Sequence, residues 1–248
     1  MAELNKYGYI VKLSENALIS LILNGLEAYS VYHMNIENKQ KKVRLETFGN
    51  LFGYEVNLAD GQKVYQIEIV NTDTSVKQST GSVDYNRAAI ALKIDTVSSF
   101  WPHLEYLGEF HSHPYKDYKK ARETKGYYLS KGDRNDLSEN SEFWSNCNHR
   151  IGLLLTIGPM KKTGSRDAQW IDANKNCVEL NLGNYKLWIT AYCSYNDKDN
   201  MLYTEDNDPL VILDCSALTG LHWEHTVYGR FKVEGRKVEH ITANSKGK

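Results

Sequence analysis

Two histidines one residue apart, in the run Glu109-Phe110-His111-Ser112-His113-Pro114, constrain this chain more than any other feature. Side chains alternate between faces along an extended strand, so both imidazoles share a face if the run is a strand. An apolar approach through Leu104, Tyr106 and Leu107 and a proline stop after His113 predict a strand ending at the rim of a sheet. A carboxylate arriving from the next element completes a three-ligand set. Two imidazoles and one carboxylate are common in hydrolytic zinc sites and leave a fourth position open for water. Asp133, in Ser130-Lys131-Gly132-Asp133, supplies that carboxylate.

The surrounding pattern predicts layers. Ser14 caps an apolar helix over Ala17–Ala28, and Asn86–Phe100 is a second helix ended by Trp101-Pro102. A third helix starts near Ser130, with Ser130 or Asp133 at its first turn. The segments 43–56 and 63–70 alternate as strands, with a turn at Ala59-Asp60-Gly61-Gln62. Ile151–Ile157 and Lys186–Tyr192 are buried strands, and short strands are expected at 210–213 and 228–233. This order implies an α/β fold with a mixed β-sheet flanked by helices. Residues 1–200 are expected to form one domain and 201–248 a C-terminal extension packed on it, with loop-like composition over 196–210. Residues 115–129, where Lys116, Lys119, Lys120, Arg122 and Lys125 interleave with tyrosines, are expected to be a solvated surface insertion.

Composition narrows the function classes. The chain has 248 residues, enough hydrophobic content (41%) for a core, and a net charge of −1. That balance gives no electrostatic case for nucleic acid or a membrane surface. No apolar run approaches the roughly 20 residues that cross a bilayer, and the first residues lack the apolar core of a signal peptide. Cys147, Cys177, Cys193 and Cys215 are widely spaced with no CxxC pair, so free thiols and a cytoplasmic location are expected.

A hydrolytic zinc site also needs a base for its water and a donor for the developing oxyanion. Zinc lowers the pKa of a bound water toward roughly 7, within reach of a carboxylate. Glu46 is the expected base, on a strand whose Gly49 and Gly53 permit close packing of neighbouring chain. Ser130, one helical turn from Asp133, offers its hydroxyl to the oxyanion. Asp136 is the competing ligand and Glu109 the competing base or outer partner. Ser112 points away from the ligands and is expected to brace the strand. His222-Trp223-Glu224-His225 lacks the spacing that puts two histidines on one helical face, so it is read as ordinary packing or surface.

Glu46 with Gly49 and Gly53, then His111-Ser112-His113-Pro114, then Ser130-x-x-Asp133, resembles the JAMM (MPN-type, JAB domain) metalloproteases, and the Gly108-Glu109-Phe110 lead-in is closest to prokaryotic JAB domains. The resemblance covers roughly residues 12–195. It implies the JAB/MPN, cytidine-deaminase-like layered architecture, with Zn2+ on His111, His113 and Asp133, Glu46 as general base and Ser130 as oxyanion donor. It further implies hydrolysis of peptide or isopeptide bonds at the C-terminal tail of ubiquitin or ubiquitin-like proteins. A peptidase in a defence or sulfur-carrier pathway and a non-cleaving module that binds a ubiquitin-like partner are the alternatives. The chain departs from the family in the length of 115–129, about twice the usual gap, and in the long stretch between the first helix and Glu46.

Overall fold

The computed structural model describes residues 9–31, 33–34, 41–42, 44–139, 149–161, 168–171, 173, 175–197, 200–203, 211–220, 230–234 and 237–241. Its centre is a ten-stranded mixed sheet. The strands are β1 (Tyr9–Leu13), β2 (Phe48–Asn57), β3 (Lys63–Thr72), β4 (Glu105–Pro114), β5 (His149–Pro159), β6 (Gln169–Trp170), β7 (Cys177–Leu182), β8 (Tyr185–Asp197), β9 (Asn200–Tyr203) and β10 (Val211–Asp214). Across the sheet the order is β6-β7-β8-β5-β4-β2-β3-β1-β10, with β9 paired to β8. The pairs β1–β3, β1–β10 and β4–β5 are parallel and the rest antiparallel. The α/β class with a mixed sheet is therefore observed. Residues 211–220 belong to this sheet and its core, through buried Val211, Leu213, Cys215 and Leu218.

Among the described residues four α-helices accompany the sheet: α1 (Glu15–Ser30), α2 (Arg87–Phe100), α3 (Tyr118–Glu123) and α4 (Lys131–Glu139). Ser14 caps α1 by accepting the Ala17 N–H, and Asn86 caps α2 through Ala88 and Ala89. The apolar stripe of α1 (Ala17, Leu18, Leu21, Ile22) packs with Leu51, Phe110, Leu153 and Leu155 in the main core. Gly25 lets the helix approach closely: a Cβ there would lie 2.3 Å from Leu155 Cδ2. The sheet face carrying α1 is therefore apolar. The opposite face holds Glu109, His111 and His113, set there by strand alternation.

The register of the His-bearing strand depends on Gly108. Pairing between β2 and β4 shifts at Leu51/Phe52, and Gly108 takes φ +146°. L side chains rarely adopt that conformation, and a Cβ would sit 1.8 Å from the Ile151 carbonyl oxygen. Gly49 and Gly53 on β2 are equally crowded, by Phe110 and by the Gln66 carbonyl respectively, as close packing of neighbouring chain requires.

Two local expectations are corrected. The strand expected from residue 43 begins only at Phe48, so Glu46 lies in the extended approach to β2. The cause is pairing: Thr47 is held by Ser112, and the Glu46 N–H donates to the Ser79 carbonyl at 2.9 Å rather than to a neighbouring strand of the sheet. The insertion 115–129 is only half solvated. It contains α3, buries Ala121, Tyr127 and Tyr128, and packs these against Cys177 and Trp188, while its lysines face water. Cys147 and the His222–His225 run lie outside the described residues.

Candidate metal centre

His111 and His113 point from the same face of β4, with ring centroids 5.1 Å apart. Asp133 meets them from the first turn of α4. Its Oδ1 lies 3.6 Å from His111 Nε2 and its Oδ2 3.3 Å from His113 Nε2. One ligand atom from each of the three residues falls within 4.8 Å of the others. Two atoms each about 2.0–2.1 Å from a tetrahedral zinc are about 3.4 Å apart, so the spacing fits such an ion. Nε2 of His111 is buried with no hydrogen-bond partner. Orphaned buried donors and acceptors are rare, and a cation at the convergence of the three groups would satisfy this one. The residues fit the metal. Asp136, three residues on, is exposed and outside the cluster, so the structure brings in Asp133 and not its competitor.

Local geometry aims Asp133. Ser130 caps α4: its Oγ accepts the Asp133 N–H at 3.2 Å, and Asp133 Oδ2 accepts the Ser130 N–H at 2.5 Å. This reciprocal pair turns the carboxylate back toward β4, in the manner of a capping box with aspartate at its third position. It uses Ser130 Oγ only as an acceptor, which leaves the hydroxyl hydrogen to donate elsewhere.

The surroundings of His113 and Glu46 are also fixed. His113 Nδ1 lies 2.9 Å from the Gly126 carbonyl oxygen. A carbonyl can only accept, so the neutral ring carries its hydrogen on Nδ1 and turns the Nε2 lone pair toward Asp133. Ser112 braces the strand from the other side, as expected: its Oγ accepts the Thr47 N–H and its own N–H donates to the Thr47 carbonyl, both at 3.0 Å. That ladder holds Glu46, the residue before Thr47, beside the cluster.

Glu46, His111, Ser130 and Asp133 all line one cleft of about 280 Å3. Burial raises the Glu46 carboxyl above its ordinary value; His113 and His111 oppose the rise and Asp133 adds to it. A carboxylate so shifted holds a proton more readily than one in water. Asp133 is the reverse case. Burial works against its charge, yet the two imidazoles outweigh that and hold it far below the usual carboxylate range. Burial likewise opposes charging of His111, and Asp133 overrides it, so the His111 pKa is raised.

Glu109 also borders the cleft but is committed elsewhere, in a buried ion pair with Arg150, whose Nη2 reaches Tyr106 Oη at 3.2 Å. It is not free to act as base. Other contributors were not expected from the sequence. Tyr192 and Tyr85 line the cleft, Tyr85 stacked on Phe48 with centroids 5.1 Å apart, and Gly81–Val83 form a wall at the tip of a two-stranded hairpin (Lys77–Gln78 with Val83–Asp84). Ser79-Thr80-Gly81 is the turn signal that marks this tip in the sequence.

No family profile matches the chain, and no curated protein matches it. The solution structure of protein DSY2949 from Desulfitobacterium hafniense is similar over 82% of this chain and 92% of that one, at 14% identity. Its TM-score of 0.40 is too low for the likeness to bear on fold family or function.

Proposed function

We propose that this chain is a zinc-dependent hydrolase of the JAMM type, cleaving peptide or isopeptide bonds at the C-terminal tail of ubiquitin-like proteins. The observation that carries the reading is the convergence of His111, His113 and Asp133, with an orphaned Nε2 on His111 and with Glu46 and Ser130 on the same cleft. Bound zinc would supply Lewis acidity and a water acidic enough to ionise near neutral pH. His111, His113 and Asp133 would hold it. Glu46 takes the proton of the attacking water and delivers it to the leaving amine; its raised pKa suits a group that must carry a proton between two steps. Ser130 donates its free hydroxyl hydrogen to the oxyanion of the attacked carbonyl.

The tail binds extended along the cleft, past the wall formed by Gly81–Val83. A Gly-Gly end next to the scissile bond is what the family resemblance implies. Cys177, Cys193 and Cys215 are buried and in no disulfide, which supports a reducing, cytoplasmic setting. Among the described residues no helix is long and apolar enough to cross a membrane.

The test combines metal content with cleavage. Wild type purified with zinc should hold about one ion per chain and His113→Ala none. Glu46→Gln should keep the ion and lose about 10²–10⁴ in cleavage of a ubiquitin-like fusion. A wild type without zinc would sink the hydrolase reading and leave a non-cleaving module. Unchanged cleavage by Glu46→Gln would remove the base assignment.

A further inference from the structure

The segment 115–129 has an anchor of its own on the sheet, remote from the cleft. Glu179 on β7 is 2% exposed and accepts five hydrogen bonds from four residues, the longest from Gln169 Nε2 at 3.5 Å. Arg122 Nη2 of α3 reaches both of its oxygens, at 2.9 and 2.6 Å; Lys186 Nζ lies at 2.6 Å and Trp188 Nε1 at 2.9 Å. Burial pushes the Glu179 carboxyl up, but these donors outweigh it, and the group is held below its ordinary value as a carboxylate.

From this cluster a chain of contacts runs to the candidate ligands. Trp188 stacks on Tyr127 with centroids 5.6 Å apart. Thr190 Oγ1 donates to the Tyr127 carbonyl at 2.6 Å, and Thr156 Oγ1 to the Gly126 carbonyl at 3.0 Å. The same Gly126 oxygen takes Nδ1–H of His113. Tyr115 crowds Gly126 from the other side, where a Cβ would lie 1.9 Å from its hydroxyl oxygen. The carbonyl that selects the His113 tautomer is thus held by a segment whose outer end is clamped on Glu179.

We infer that Arg122 and Glu179 are positioning residues for His113: they fix the insertion, the insertion fixes the Gly126 carbonyl, and that carbonyl sets the ring's tautomer and with it the affinity for metal. The inference rests on reading the cluster as a zinc site. An outer partner of a ligating histidine typically changes metal affinity 10–100-fold when lost. Arg122 acts through two further contacts, so the lower end of that range applies. The insertion is then a brace for a ligand rather than a lid over the cleft.

Arg122 is half exposed, and its removal leaves Glu179 paired with Lys186, so no buried charge is stranded and Arg122→Met should fold. Two readouts test the inference: zinc affinity by competition with a chelator, and the His113 tautomer by ¹⁵N NMR of the metal-free protein. Arg122→Met should bind zinc roughly 10-fold more weakly and lose the single Nδ1–H signature, with Arg122→Lys restoring most of both. Thr156→Val, which removes a bond to the same carbonyl without touching the ion cluster, should shift both readouts in the same direction. Wild-type affinity and an unchanged tautomer in both variants, with only the melting temperature lowered, would overturn the inference. A wild type that takes up no zinc would instead overturn the metal reading, and the tautomer comparison would still decide whether the clamp orients His113.

Discussion

The two faces of the central sheet are built from the same strands and obey different rules. On the α1 side, Leu51, Phe110, Leu153, Leu155 and Ile189 are fully buried and apolar, and their stabilisation follows area removed from water. On the other side, the alternate residues of those strands include Asn50, Glu109, His111, Thr156 and Thr190, buried almost as deeply beside apolar Leu154 and Trp188. Burying them is favourable only as far as partners replace water. Most have partners, but Asn50, His111 and Tyr192 each keep a buried polar atom without a hydrogen-bond partner. One face is specified by shape; the other stores unsatisfied bonding capacity, and it borders the cleft.

Three substitutions sharpen that contrast. The largest effect belongs to the apolar face. Leu153→Ala should cost about 2–5 kcal/mol in chemical denaturation, with zinc per folded chain unchanged. Loss of zinc from the folded variant would mean that the two faces are not separable. Next, Ser130→Ala removes the α4 cap and should cost about 1 kcal/mol, measured the same way. Because the cap aims Asp133, zinc affinity should fall with it; intact affinity would assign the aim to the rest of α4. The smallest effect has the opposite sign. Tyr192→Phe deletes a buried hydroxyl without a partner and should leave stability equal or higher by up to about 1 kcal/mol. A clear loss of stability would show that the hydroxyl has a partner, such as a buried water.

The site was more readable than the segment that supports it, and the reason is physical. His111 and His113 are tied by strand alternation, and Ser130 and Asp133 by one helical turn, so local spacing encodes half of the cluster. Glu46 is joined to them only through the β2–β4 ladder; Gly49 and Gly53 beyond it and the family resemblance point to it, and the structure puts it on the same cleft. Residues 115–129 read as a solvated loop from their composition, yet Ala121, Tyr127 and Tyr128 are buried and Arg122 is clamped on Glu179, by partners distant in sequence. Their link to His113 is the Gly126 carbonyl, which any sequence carries. β1 and β7 went unread for a related cause. Each is short, and what places it is a partner far along the chain: Tyr9–Leu13 lies between β3 and β10, and Cys177–Leu182 carries the buried Glu179 whose counter-charges come from α3 and β8.

The parallel pairing of β1 with β10 has a consequence during synthesis. Tyr9 pairs with Val211, a separation of 211 − 9 = 202 residues, so one flank of β1 has no partner until nearly the whole described chain has left the ribosome. Until then a nascent chain presents an open strand edge with buried-type Val11 and Leu13 beside it, the kind of surface that recruits other strands. Yield from a cell should therefore depend on how fast the last fifth of the chain is translated, even though none of its described residues lines the cleft.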